Sequence, residues 1–145
     1  MDLQATIIGY VKKSKEDQIF IELLERYWAG ALQLDQFSHM IVLWWITGRD
    51  STTYRLNLQD YPPQANAKLS GVFASRSPAR PTPIGLSIVA INQVDDDTHR
   101  IYIDQIDAFD ETPVIDIKPY MPSSDRVDKA RVPPWFRDNI PRYTT

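Results

Sequence analysis

Gly71-Val72-Phe73-Ala74-Ser75-Arg76-Ser77-Pro78-Ala79-Arg80-Pro81-Thr82-Pro83-Ile84-Gly85-Leu86-Ser87 joins one apolar run to another through two arginines, two serines and three prolines. Proline fixes φ and has no backbone N–H, so Pro78, Pro81 and Pro83 predict a stiff loop with few accessible shapes. Such a loop loses little further entropy on ordering. It can hold Arg76 and Arg80 ready for an anionic or carbonyl-rich ligand, with Ser77 between them. Gly85 lets backbone or ligand approach closely where the next strand begins. The ordinary alternative is a loop stapled to nearby carboxylates by surface salt bridges, each of little energetic worth.

Working outward, Ile84 to Val94 reads as a strand leaving the loop and Leu69 to Ala74 as the segment entering it. Met40 to Thr47 is apolar throughout, with β-branched and aromatic residues, and predicts a buried central strand. Thr6–Val11, Ile19–Leu24, the run marked by Ile101, Ile103 and Ile106, and Pro113–Ile117 predict further strands. Tyr54, Leu56 and Leu58 alternate with polar residues, the pattern of a half-buried strand. Glu25 to Leu32 predicts a short helix with acid at its start. Asp60 to Lys68, with Pro62-Pro63, reads as a loop, and Asp95-Asp96-Asp97 as a solvated turn. The sequence from 119 to 145 holds five of the prolines and predicts an irregular tail wrapping the surface, with Trp135 and Phe136 as anchors. The predicted fold is mainly β: a single-sheet antiparallel barrel with one or two short helices and that tail.

The bulk properties set limits. At 145 residues the chain fits one domain spanning 1–145. It has no cysteine, so disulfides, thiolate metal sites and cysteine nucleophiles are excluded. Two histidines, His39 and His99, do not make a histidine-rich metal site, and no metal is expected. The net charge of −3 argues against strong non-specific binding to nucleic acid, while leaving room for a local basic patch. The polar opening and the absence of a long apolar run predict a cytoplasmic protein with no membrane span. No GxGxxG, Walker loop, nucleophile elbow or metal motif is present.

Two further constellations carry chemistry. On a strand, Asp116, Lys118 and Tyr120 share one face. An acid, an amine and a phenol ended by prolines suit a polar pocket wall, although an isolated Asp-x-Lys-x-Tyr is more often a solvated stripe with an internal ion pair. His39, directly before the apolar strand, is a candidate base or pocket donor. A histidine in this setting is more often a structural hydrogen-bonder. Trp44 and Trp45 point to opposite faces of a strand, so one of them belongs to the core.

Taken together, Leu34-Asp35-Gln36-Phe37-Ser38-His39, the 71–87 stretch and Thr112-Pro113-Val114-Ile115-Asp116-Ile117-Lys118-Pro119-Tyr120-Met121-Pro122 closely resemble the TsaA-like family. Its best-known members are TrmO-type tRNA methyltransferases. The resemblance covers roughly residues 5–137, including Val132-Pro133-Pro134-Trp135. It implies a β-barrel unlike the Rossmann-type methyltransferases, S-adenosylmethionine as methyl donor, and a homodimer with the cofactor site near the subunit interface. It also implies tRNA as partner, the acceptor being the exocyclic amine of threonylcarbamoyladenosine. Carried over position by position, the resemblance makes Arg76, Ser77, Arg80, Pro83, Ile84, Gly85, Leu86, Asp116, Lys118, Tyr120 and His39 motif positions; of these, Arg76 to Leu86 are expected at the cofactor and Asp116, Lys118, Tyr120 and His39 at the chemistry, with Asp116 ranked ahead of His39 and Tyr120 as proton acceptor. Phe37, Ser38, Pro81 and Pro119 complete the motif positions.

Three departures stand out. Thr82 replaces a common Asn. Glu111 replaces a common Gly, at a cost in strain if that turn needs positive φ. The Arg-Pro-Pro stretch of longer bacterial members is not found before the main motif, and their extra C-terminal domain is not expected here. Two other functions would use the same features: a regulatory protein that only binds S-adenosylmethionine, and a methyltransferase acting on a small molecule or protein.

Overall fold

The computed structural model describes residues 1–137. Its eight strands in chain order are β1 (Gly9–Lys13), β2 (Ile19–Leu23), β3 (His39–Trp45), β4 (Gln59–Asp60), β5 (Ser70–Gly71), β6 (Ile84–Asp95), β7 (Arg100–Ile103) and β8 (Pro113–Pro119). Chain contacts divide the molecule into two compact units. One comprises Met1–Thr47 and Ile84–Tyr120; the other comprises Gly48–Pro83 and the segment from Met121.

The first unit is a closed six-stranded barrel of order β1-β2-β7-β6-β3-β8, every pairing antiparallel. Closure leaves no free sheet edge. Side chains alternate between interior and exterior along each strand. The interior is filled by Val11, Ile21, Met40, Val42, Val89, Ile101 and Val114, all essentially inaccessible to solvent. β3 pairs with β6 on one side and β8 on the other over most of its length, as its uniformly apolar sequence requires. Trp44 packs against the core while Trp45 lies on the other face.

The strand expectations hold with shifted ends. β1 begins at Gly9 rather than Thr6, and Ile106 is buried but lies beyond β7. The segment after β2 is a 3₁₀ helix, Glu25–Ala31, with Glu25 in its first turn. A second 3₁₀ turn, Leu34–Gln36, leads into β3.

In the second unit β4 and β5 form a two-stranded ladder. The strand expected at Tyr54, Leu56 and Leu58 is not formed. Thr52–Arg55 is instead a single α-helical turn, and Leu56 and Leu58 are exposed. Its amides are satisfied locally, Arg55 N–H by Ser51 O and Leu56 N–H by Thr52 O, so the segment needs no partner strand. Beyond β8 the tail forms two further one-turn helices, Pro122–Asp125 and Pro134–Arg137. The expectations for the tail beyond residue 137 lie outside the described residues.

The turn before β8 confirms the strain expected of Glu111, whose φ is +66°. Its amide donates to Val11 O at 2.8 Å, which ties the turn to β1. The Lys12 ammonium donates to both carboxylate oxygens at 2.7 and 2.9 Å. An exposed ion pair of this kind contributes up to about 1 kcal/mol, comparable to the strain of a non-glycine residue in left-handed backbone. Comparing Glu111→Gly with Glu111→Ala separates the two effects, since both lose the pair and only glycine relieves the backbone. Glu111→Gly is expected to be the more stable by about 1 kcal/mol in denaturant unfolding. Equal stability would mean the turn carries no strain.

Candidate active site

Strand register brings the acid–amine–phenol group and the histidine onto one surface. Lys118 is opposite Ile41 and Asp116 opposite Leu43 in the β3–β8 ladder. The Tyr120 amide donates to His39 O at 3.1 Å, continuing that ladder by one residue at each end. Because Met40 and Val42 point inward, His39, Ile41 and Leu43 point outward together with Lys118 and Asp116. A register shift between Leu43 and Trp44 leaves Ile115 as the extra residue of a bulge immediately before Asp116.

The polar contacts on this surface are specific. The Lys118 ammonium lies 2.9 Å from Asp116 Oδ2, and Asp116 Oδ1 accepts the Ile117 N–H at 2.9 Å. The internal pair expected of a solvated stripe is therefore present, and both of its side chains are substantially exposed. His39 Nδ1 lies 2.7 Å from Ser38 Oγ, and Nε2 has no hydrogen-bond partner among the described residues. Asp116 also borders a mainly apolar cavity of about 330 Å³ together with Tyr27, Leu34, Phe37 and Ile117. That cavity joins the Leu34–His39 motif to the Asp116 strand.

β6 supplies an apolar band to the same outer surface. Ile84, Leu86 and Ile88 are exposed and stand opposite Trp45, Leu43 and Ile41. Gly85, between them, faces inward and is buried. A Cβ added there would overlap the Trp44 indole, whose Nε1 donates to Ser87 Oγ at 3.1 Å. In this structure the close approach that Gly85 permits is made by a tryptophan of the core.

Arg76, Ser77, Arg80 and Pro83 belong to the second unit, and the two arginines differ in role. Arg80 Nη1 donates to the carbonyls of Ser75 at 3.1 Å and Ser77 at 3.3 Å, closing the loop on itself. Arg55 Nε donates to Pro81 O at 2.8 Å and Asn57 Nδ2 to Ala79 O at 2.9 Å, which braces the prolines from outside. Ser77 Oγ donates to Asp60 Oδ2 at 3.1 Å, and Pro83 is fully buried. Arg80 is thus stapled to backbone carbonyls rather than to carboxylates. Arg76 is exposed and makes no hydrogen bond or ion pair among the described residues. Sequence reasoning missed the bracing residues Arg55, Asn57 and Asp60, although their side chains are the usual partners for carbonyls and hydroxyls left free by a proline-rich turn.

Asp116 holds the Lys118 ammonium above its ordinary value of 10.5, through their hydrogen bond first and then through charge attraction. A raised lysine pKa favours the folded state below the ordinary lysine range. The benefit disappears as pH rises through the shifted value. Replacing Asp116 by Asn is expected to lower the Lys118 titration midpoint, followed by NMR of its side-chain Cε resonance. An unchanged midpoint would show that the pair does not form in solution.

Known proteins similar to this chain point to one family. A profile of the tRNA-methyltransferase O N-terminal domain matches residues 10–126. A probable S-adenosyl-L-methionine-binding protein of Methanocaldococcus jannaschii is 38% identical over 126 residues, covering 86% of this chain and 95% of that protein. A tRNA (adenine(37)-N6)-methyltransferase of Mus musculus is 37% identical over 92 residues, covering 63% of this chain and 20% of that protein. The crystal structure of TrmO from Pseudomonas aeruginosa superposes with a TM-score of 0.68 at 28% identity, covering 92% of this chain and 61% of that one. The chain therefore spans only a fifth of the mouse relative and less than two thirds of the solved TrmO chain.

Proposed function

The chain belongs to the tRNA-methyltransferase O N-terminal domain family, and from that premise we propose that it transfers a methyl group from S-adenosylmethionine to the exocyclic amine of threonylcarbamoyladenosine in tRNA. The observation that carries this reading is the shared outer surface of β3, β6 and β8, where the motif residues His39, Leu86, Asp116 and Lys118 point the same way.

The residues present fit the cofactor. Ile84 and Leu86 offer an apolar bed for an adenosine, and the Lys118 ammonium a partner for a carboxylate. In the second unit, Ser77, Arg80 and Pro83 hold the proline-rich loop in shape and leave Arg76 exposed. Bound S-adenosylmethionine supplies an electrophilic methyl group. The protein's task is to align the acceptor nitrogen and remove its proton. His39 suits the second part better than Asp116, whose two oxygens are already engaged. In the tautomer whose Nδ1–H donates to Ser38 Oγ, His39 Nε2 is the free base. Asp116 then orients Lys118, and Tyr120 stands next to the histidine across the ladder.

The assay is tritiated methyl transfer to tRNA, run in parallel with protein and metabolite extracts. Label in tRNA is expected. His39→Ala should lower turnover by about 100-fold or more while calorimetric affinity for S-adenosylmethionine is retained. Tight binding of the methyl donor with no label in any acceptor would make the protein a sensor. Label confined to another extract would change the acceptor.

The reading includes a homodimer. Exposed Ile88, next along β6 from Ile84 and Leu86, is the kind of apolar surface a second copy covers, and a contact there would bring a subunit interface beside the cofactor residues. Sedimentation should give a dimer for the wild-type chain and a monomer for Ile88→Arg. A monomeric wild type would remove the dimer from the account. A tRNA substrate implies action in the cytoplasm; among the described residues no helix is long and apolar enough to cross a membrane.

A further inference from the structure

The net charge of −3 conceals a strong separation between the two units. Residues 1–47 and 84–120 carry six Lys/Arg and fourteen Asp/Glu, a net −8, whereas residues 48–83 and 121–137 carry nine and four, a net +5. The positive charge is accessible. Lys68, Arg76, Lys129 and Arg131 are exposed and form no ion pair among the described residues. The Arg49 guanidinium lies 4.6 Å from the Tyr54 ring centroid.

This basic unit also contains a cavity of about 850 Å³ whose walls combine aromatic rings, prolines and one free cation. Phe73 is 82% exposed and Tyr61 67% exposed; both line the cavity, together with Phe136 from the tail. A large apolar ring left this open gains nothing from folding, because burial is what stabilises it. Arg76 reaches the same cavity. Ser77 and Asp60, which also line it, satisfy each other. The proline-rich walls are stiff, so the cavity is formed before any ligand arrives.

Exposed aromatic faces beside an unpaired arginine in a positively charged unit are the chemistry that recognises single-stranded nucleic acid. Bases stack on the rings, and cations meet the phosphates. We propose that the second unit is an RNA-docking module whose cavity takes an unpaired nucleobase against Phe73 and Tyr61, with Arg76 at the flanking phosphate. The proposal deepens the tRNA methyltransferase reading and rests on it for the identity of the RNA. The unpaired bases of an RNA loop leave their stack at little cost, and such a cavity gives one of them a place to go. The basic unit attracts a polyanion more strongly than the acidic barrel does, so the charge separation favours first contact through the basic unit.

The test is equilibrium binding of the full chain to an RNA stem-loop with an unpaired loop, against an RNA duplex of equal length, without methyl donor. The stem-loop is expected to bind about tenfold tighter than the duplex. The paired substitution Tyr61→Ala with Phe73→Ala should abolish that preference while leaving calorimetric affinity for S-adenosylmethionine unchanged. Arg76→Gln should weaken both RNAs and reduce the salt dependence of binding by about one counterion. Equal binding of stem-loop and duplex, or an unaltered preference in the aromatic variant, would overturn the proposal. Loss of S-adenosylmethionine affinity in that variant would also overturn it, by giving the cavity to the cofactor's own adenine. RNA binding without methyl transfer would sink the enzymatic reading and leave the docking module standing. Methyl transfer to tRNA with an unchanged KM in the aromatic variant would do the reverse.

Discussion

The structure turns on the two-sided pairing of β3 within a closed barrel. Hydrogen-bonded to β6 and β8, this strand has no freedom to slip, because a shift of one residue would turn Met40, Val42 and Trp44 outward and empty the core. The same constraint turns His39 outward and puts it in line with Lys118 and Asp116 of the neighbouring strand. Closure makes the surface rigid, and a rigid surface suits a reaction whose main demand is alignment. The core and the candidate site are opposite faces of one alternation.

The second unit solves a different problem. A segment with little regular secondary structure has to hold its shape, and it does so by sending side chains to its own carbonyls. Arg80, Arg55 and Asn57 each reach a carbonyl of the 75–81 stretch, while the prolines limit what the backbone can do between them. One arginine is consumed in building the loop, and its neighbour four residues earlier is left for something else. This division of labour gives the 71–87 stretch both its stiffness and its unpaired cation.

Much of this was legible in the residues. The apolar run at 40–47, the period of two through Asp116, Lys118 and Tyr120, and the proline spacing each follow from local chemistry and survive in the structure. The strand expected at Tyr54–Leu58 failed because alternation is also compatible with a helical turn and an exposed coil; only a partner strand would have decided it, and among the described residues none pairs there. Gly85 could be identified as a point of close approach, but not what approaches, since Trp44 comes from 41 residues earlier in the chain. Sequence could not separate Arg76 from Arg80, because the difference lies in which carbonyls fall within reach. The charge separation was hidden for a related reason: each unit is assembled from interleaved segments, and a running count along the chain averages acidic barrel with basic loop.

The central claim is that the outer face of β3, β6 and β8 holds the methyl donor while the barrel interior serves only as core. Backbone NMR titration of the full chain with S-adenosylmethionine tests this directly. The account expects the largest shift changes at the amides of Ile84–Ile88 and Asp116–Tyr120, with β2 and β7 silent. Changes concentrated in β2 and β7, or no saturable change anywhere, would contradict it.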